Sequence, residues 1–83
     1  MRTMVSKSGS MVKVREWVLL SNGWEYYVIE READGLCFCV VVGFETEAGH
    51  VYWPEVEPYV IGGQHGSLKG LAPAPGWRWE DAA

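Results

Sequence analysis

Apolar residues alternate with polar ones along much of the chain, which is the period of β-strands with one buried and one exposed face. The first alternating run extends from Met11 to Leu20 and is interrupted by Glu16. The second run extends from Trp24 to Glu32, the third from Leu36 to Phe44, and a fourth begins at His50 and reaches Trp53. The pattern predicts four strands and a fold that is mostly β.

Short turns separate these runs. Asn22-Gly23 and Asp34-Gly35 are residue pairs that readily take the positive φ angles of tight hairpin turns, and Glu45 to Gly49 forms an acidic third turn. Strands joined by such short links run antiparallel. We predict a strongly twisted four-stranded antiparallel meander with its strands in the order 1-2-3-4.

The third run is apolar on both faces. Leu36 and Phe38 share one face, whereas Cys37 and Cys39 share the other. A strand of this kind is normally central and covered on both sides. We therefore expect the chain after Trp53 to fold back over it.

The segment after the fourth run changes in character. Pro54 favours the first turn of a helix, and Pro58 keeps any such helix very short. The fold class is therefore α+β, mostly β, with short helical turns after strand four. Gly62-Gly63 and Gly66 indicate a flexible loop, and the last aromatic run, Trp77 to Trp79, predicts an edge strand with both Trp rings on one face.

The chain has the size of a single domain, with 83 residues. Residues 1–10 are rich in Ser and short of apolar residues, and we interpret them as a flexible leader. Residues 11–83 then form a single small β-rich domain. We expect no membrane segment, because no apolar stretch approaches the length of a membrane span or of a signal sequence.

Cysteine and histidine are the first candidates for chemistry. Cys37 and Cys39 lie on one predicted strand with Cα atoms about 6.6 Å apart and parallel side chains. We expect free buried thiols, and hence a reducing, cytoplasmic compartment. A zinc site that adds His50 and His65 has the wrong spacing for a structural zinc knuckle. No nucleophile has a recognisable base beside it, so we expect no enzyme, no cofactor and no metal, with metal analysis as the test of the metal alternative.

The charge is negative and unevenly distributed. The formal net charge is -4, and no Lys or Arg occurs from Glu32 to Leu68. This balance argues against a phosphate-binding surface, since nucleic-acid binders usually carry a basic stripe. Two interpretations of the acidic region stay open: a solvated surface that keeps the protein soluble, or a docking face for a basic partner.

Aromatic and acidic residues occur together near the fourth strand. Tyr and Trp side chains anchor many protein interfaces, and acids beside them select a basic partner. The alternative is a set of core aromatics with solvated acids between them. The candidate partner-binding residues are Glu45, Glu47, Tyr52, Trp53, Glu55, Glu57 and Tyr59.

Residues 24–57 contain the runs W-E-Y-Y-V-I-E and D-G-L-C-F-C-V-V-V-G-F-E-T-E-A-G-H-V-Y-W-P-E-V-E. In order and spacing this region resembles a domain family of unknown function in short proteins of bacterial plasmids, integrative elements and phages. The N-terminal helical region usual in that family is missing here, and the C-terminal Pro/Trp segment does not match it. The resemblance implies a mobile-element accessory protein in a bacterial cytoplasm, without a catalytic motif.

Small acidic proteins of such elements are often inhibitors of host defence, anti-CRISPR proteins among them, which is an argument by association. We therefore expect a non-enzymatic binding protein that inhibits a host defence or nucleic-acid-handling complex with a basic surface. The alternative is a nucleic-acid-binding module that uses Lys13, Arg15 and Arg31 with Trp stacking. A monomer and a homodimer paired through the Trp77/Trp79 edge both fit the sequence.

Overall fold

The computed structural model describes residues 1–80, so residues 81–83 of the predicted domain lie outside the described residues. The described chain is mostly β and forms two antiparallel sheets. The larger sheet has the strand order β6-β5-β4-β3-β7, and the smaller sheet has the order β2-β1-β8. The strands are β1 (Arg2–Ser6), β2 (Met11–Val14), β3 (Glu16–Leu20), β4 (Glu25–Arg31), β5 (Leu36–Val42), β6 (Thr46–Tyr52), β7 (Val60–His65) and β8 (Trp77–Glu80).

Short helical turns follow β6, as the two prolines predict. Helix α1 spans Trp53–Val56 with Pro54 in its first turn, and a 3-10 turn spans Glu57–Tyr59 with Pro58 inside it. The chain then enters β7.

The predicted four-stranded meander is only part of the fold. β3, β4, β5 and β6 are neighbours in chain order, but β7 joins the β3 edge and a second sheet is present. The predicted first strand, Met11 to Leu20, is split at Arg15, because β2 pairs with β1 whereas β3 pairs with β4. At this bend the Arg15 amide donates to the Val28 carbonyl oxygen at 2.8 Å. The bend lets one alternating run serve two cores, with Val14 in one and Leu20 in the other.

Residues 1–10 are not a flexible leader, because they include a central strand. β1 lies between β2 and β8 in the smaller sheet. Met4 is fully buried, opposite Val12 on one side and Trp79 on the other. A short strand needs few apolar residues to enter a core, provided that they point inward. The prediction of a flexible leader was wrong because it was based on the low apolar content of the whole segment.

Each face of the larger sheet has its own core. On the helix-side face, Tyr26, Cys37 and Cys39 pack with Trp53 and Val56 of α1. The sheet-side face is covered by the smaller sheet and by the segment between β7 and β8. Its core comprises Met4, Val14, Tyr27, Val40, Leu68 and Ala74. The prediction that the third run is covered on both faces is confirmed for its middle part, from Cys37 to Val40, although Leu36 is exposed. The chain after Trp53 supplies only part of the sheet-side cover, because the smaller sheet supplies the rest.

The first two predicted turns are confirmed and the third is displaced. Gly23, Asp34 and Gly35 all have positive φ angles, as tight turns require. The third turn lies at residues 43–45, and β6 already begins at Thr46 within the predicted acidic turn. The reason is an uninterrupted ladder of seven residue pairs between β5 and β6, which holds this acidic stretch as strand.

Gly62-Gly63 lies in strand β7 and not in a flexible loop. A Cβ atom added to Gly63 would lie 2.6 Å from the Trp17 carbonyl oxygen. Glycine therefore permits the close pairing of β7 with β3. The predicted edge strand at the last aromatic run is confirmed as β8, and both Trp77 and Trp79 pack against the sheet-side core.

Candidate functional site

The predicted partner-binding residues lie in two groups at opposite ends of β6. Glu45 and Glu47 lie at its N-terminal end, beside the β5–β6 turn. The remaining five, from Tyr52 to Tyr59, lie at its C-terminal end and in the helical turns beyond. Glu47 and Tyr52, the nearest members of the two groups, are five residues apart along β6, or about 17 Å. The structure does not bring them together in one patch.

The nearest members of the two groups, Glu47 and Tyr52, also point to different faces of the larger sheet. In the uninterrupted register of β5 and β6, Glu47 pairs with Val41, and Tyr52 pairs with Leu36. Successive side chains of a strand point to opposite faces. Glu47 therefore points to the helix-side face and Tyr52 to the sheet-side face.

Trp53 belongs to the core and is not available as an interface anchor. Its side chain is only 8% exposed. The ring packs edge-on against Tyr26, with centroids 6.3 Å apart, and the Arg31 guanidinium lies 4.5 Å from its centroid. Arg31 also forms an ion pair with Glu16. The neighbouring Tyr59, in contrast, is exposed.

The β5–β6 turn presents an aromatic residue that the sequence analysis did not select. Phe44 is 96% exposed. Trp24 packs edge-on against it, with ring centroids 5.4 Å apart and an interplanar angle of 81°. The Trp24 ring fills the space beside Gly43, and the Gly43 amide donates to the Glu45 carbonyl oxygen at 3.0 Å. We call Trp24, Gly43 and Phe44 the aromatic tip; Glu45 and Glu47 flank it.

A sequence signal for the aromatic tip exists at Gly43. Glycine at the end of a strand marks a turn or a close approach of another group. A strand that ends before Gly43 leaves Phe44 on the turn, outside the sheet. Because the prediction extended the third strand through Phe44, this ring was assigned to the sheet.

A shallow groove of about 250 Å³ continues from the aromatic tip across the helix-side face. Helix α1 covers the other part of this face. Glu47 supplies a carboxylate to the groove. Gly49 leaves a gap there, since a Cβ atom added to it would meet no other atom within 4 Å. The main lining residues are Trp24, Tyr26, Val41, Glu47, Gly49 and Val51.

On the sheet-side face, the outer part of β5 and β6 is not fully covered by the smaller sheet. Leu36 and Tyr52 are paired and exposed. Phe38 pairs with His50, with ring centroids 5.0 Å apart. His50 Nε2 lies 2.9 Å from Glu32 Oε2. Apolar and aromatic side chains therefore flank β6 on this face.

Both cysteines are free thiols in the helix-side core. Burial raises the pKa of Cys39 to about 12. Burial also raises the pKa of Cys37, although the nearby Arg31 acts in the opposite direction. Thiolates are the reactive form of cysteine, so both side chains are protonated and unreactive at neutral pH.

The residues weighed for zinc do not converge. Cys37 and Cys39 point to the helix-side face, whereas His50 lies on the sheet-side face, paired with Glu32. Among residues 1–80, no group of three or more His, Cys, Asp or Glu side chains is arranged to hold a metal ion.

Two of the three basic residues of the nucleic-acid alternative, Arg15 and Arg31, line one cleft, but Glu16 and Glu30 line it as well. Lys13 is exposed on β2, Arg15 lies at the bend between the sheets, and Arg31 is engaged with Glu16 and Trp53. Trp53, which contacts Arg31, is buried and is not free to stack on a base.

No protein-family model, curated protein or solved structure matches this chain. The resemblance to a mobile-element family therefore stays a prediction. None of the helices in residues 1–80 is long and apolar enough to cross a membrane.

Proposed function

We propose that this chain is a protein-binding module whose contact site is the aromatic tip with its flanking acids, Glu45 and Glu47. The observation that carries the proposal is the Phe44 ring, which is 96% exposed on the β5–β6 turn. A large apolar side chain held in water is typical of interaction sites, and aromatic anchors dominate the energy of many interfaces.

The contact with Trp24 favours binding because it limits the orientations of the Phe44 side chain before a partner arrives. The Trp24 ring packs against the Phe44 ring, and the Trp24 ring itself packs over Gly43. An anchor that is already ordered loses little conformational entropy when it enters a pocket. A mobile loop with the same sequence would lose more.

The flanking acids define the chemistry of the partner. Glu45 and Glu47 are both exposed and lie beside the aromatic ring. They favour a partner with an apolar pocket rimmed by Lys or Arg, because opposite charges accelerate and orient association. That this partner is a host defence or nucleic-acid-handling complex stays a prediction from the resemblance.

The proposal is tested by affinity capture from a bacterial lysate with three forms of the chain: wild type, Phe44→Ser and Ile61→Ser. Ile61 is the matched control, since it is also an exposed apolar residue but lies in β7, at the opposite edge of the larger sheet. Both variants remove one exposed apolar side chain, so we expect similar effects on their folding and on their non-specific binding to other proteins.

We expect a protein that is retained by the wild type and by Ile61→Ser and is lost with Phe44→Ser. Equal retention by all three forms, or no specific retention by any, would contradict the proposal. Circular dichroism of the variants confirms that a loss of binding is not a loss of fold.

A further inference from the structure

The edge of the larger sheet next to the aromatic tip is a long strand with a regular register. β6 has seven residues, pairs with β5 without a bulge and contains neither Pro nor Lys. Natural proteins protect exposed edges with such residues, with bulges or by keeping the edge strand short. The other edges in residues 1–80 have such features: β7 pairs through a bulge, and β2 and β8 have four residues each.

The outward backbone groups of β6 have no partner among the described residues. β5 is its only neighbour in the sheet, and no turn or loop in residues 1–80 donates to or accepts from residues 46–52. The N–H and C=O groups that point away from β5 are therefore available for pairing with an extended chain.

The two faces beside this edge differ in chemistry. On the helix-side face, a side chain opposite Gly49 would enter the gap in the groove, with the Glu47 carboxylate beside it. Trp24 lines the same groove and is only partly buried, so it offers an aromatic ring to a cation. On the sheet-side face, the nearest side chains are Ala48, His50 and Tyr52, with Phe38 behind them.

We propose that β6 binds an extended segment of the partner by strand addition, and that this segment alternates basic and apolar residues. Its basic side chains face Glu47 and the Gly49 gap, and its apolar side chains face Tyr52 and Phe38. This inference rests on the proposed function, because it defines the form and chemistry of the partner at the same end of the sheet.

Charge complementarity selects this occupant over a second copy of the chain. A copy of β6 would bring Glu47 and no Lys or Arg to the groove, since residues 46–52 contain neither. A strand with basic side chains, in contrast, would pair with the Glu47 carboxylate and place a side chain in the gap at Gly49.

The test uses a capped synthetic peptide, Val-Lys-Val-Arg-Val-Lys-Val, with a fluorescent label and anisotropy as the readout. The controls are two N-methylated forms of the same peptide, one methylated on the backbone nitrogens of the odd-numbered residues and one on those of the even-numbered residues. N-methylation blocks backbone pairing without changing the charge of the peptide. The matched protein variant is Gly49→Ile, in which the added side chain fills the gap but its Cβ meets no neighbouring atom within 4 Å.

We expect the unmodified peptide to bind the wild type. At least one N-methylated form should bind the wild type about tenfold or more weakly than the unmodified peptide does. The unmodified peptide should bind Gly49→Ile more weakly than the wild type by a similar factor. Equal binding of all peptide forms would mean attraction by charge alone and would overturn the inference, as would the absence of binding.

Two further results separate this inference from its alternatives. A homodimer that Gly49→Ile dissociates would make a second copy the occupant and would overturn the proposal of a basic segment. Ile61→Ser should bind the peptide as the wild type does, because Ile61 lies in β7, at the opposite edge of the larger sheet. Peptide anisotropy and capture from a lysate are separate measurements, so a failure of strand addition does not decide the test of the aromatic tip.

Discussion

The ring of Trp24 occupies the space that a side chain at Gly43 would fill. A Cβ atom added to Gly43 would lie 2.7 Å from two atoms of the indole ring. Aromatic residues that cover a glycine on a neighbouring strand are a recognised way to stabilise a sheet where it lacks side chains. Here the same contact also fixes the ring against which Phe44 packs.

Substitution of Gly43 should therefore disturb the aromatic tip. In Gly43→Ala, the Trp24 ring must move off the strand, and we expect a loss of roughly 1–3 kcal/mol in the free energy of unfolding. The control is Gly49→Ala, whose Cβ meets nothing within 4 Å and which should leave the stability unchanged or raise it by up to about 1 kcal/mol, because alanine is more favourable than glycine in a strand. Urea denaturation measures both values, and equal effects would be evidence against the packing described.

The role of β1 in the fold is tested by two methionines. Met4 is completely buried, whereas Met11 is exposed. Met4→Ala should lower the free energy of unfolding by about 2–5 kcal/mol, because it leaves a cavity between the sheets. Met11→Ala should stay within about 0.5 kcal/mol of the wild type. If Met4→Ala were as stable as Met11→Ala, the N-terminal segment would be a leader after all.

The alternating pattern predicted the strands of the larger sheet but not their division between two sheets. Val12, Val14, Val18 and Leu20 share one parity, so a straight strand would place all of them on one face. The bend at Arg15 sends them to different cores. A bend of this kind depends on long-range pairing with β1 and β4, which local periodicity does not contain.

The candidate site was predicted only in part for a similar reason. Glu45 and Glu47 were selected because they are acidic and follow an apolar strand, and they do flank the exposed tip. Trp53 was selected for its residue type, but Tyr26 and Arg31 enclose it in the core. Residue type does not reveal which aromatic residue a core will use and which it leaves in water.

Leu68 offers a test of backbone strain inside the sheet-side core. It is buried and has φ 55, in the left-handed region that favours glycine. Leu68→Ala and Leu68→Gly create similar cavities, but only Gly relieves about 1–2 kcal/mol of strain. We expect Leu68→Gly to be the more stable of the two by denaturation.

The control for this comparison is the same pair of substitutions at Val14, a buried residue of β2. In a strand, glycine is less favourable than alanine. Val14→Gly should therefore be less stable than Val14→Ala. The same order at residue 68 would refute the strain assigned to Leu68.

The buried thiols predict a loss of stability at alkaline pH. The folded-state pKa of Cys39 is raised to about 12, whereas an unfolded cysteine titrates near about 8.5. As the pH rises through this window, the unfolded state loses its proton while the folded state keeps it, so the free energy of unfolding falls. The buried Tyr26 and Tyr27, whose pKa values are also raised, add to the fall only above about pH 10.

The contribution of Cys39 is isolated by comparing slopes between about pH 8 and about pH 10. Urea denaturation in the presence of a reductant should show a smaller fall in stability for Cys39→Ala than for the wild type. Because the comparison uses slopes, the cavity left by the substitution does not affect it. Identical slopes would show that the thiol is not protected by burial.

The location of the contact site is tested most directly with two double variants, in each of which two glutamates are replaced by lysine. The measurement is the affinity of the captured partner for each variant. Glu45→Lys/Glu47→Lys and Glu55→Lys/Glu57→Lys change the net charge equally but lie at opposite ends of β6. If the aromatic tip and its flanking acids bind the partner, the first pair should weaken affinity by about tenfold or more, chiefly through a slower association rate at low salt. The second pair should bind as the wild type does. Equal losses in both pairs, or a loss confined to Glu55→Lys/Glu57→Lys, would contradict this location of the site.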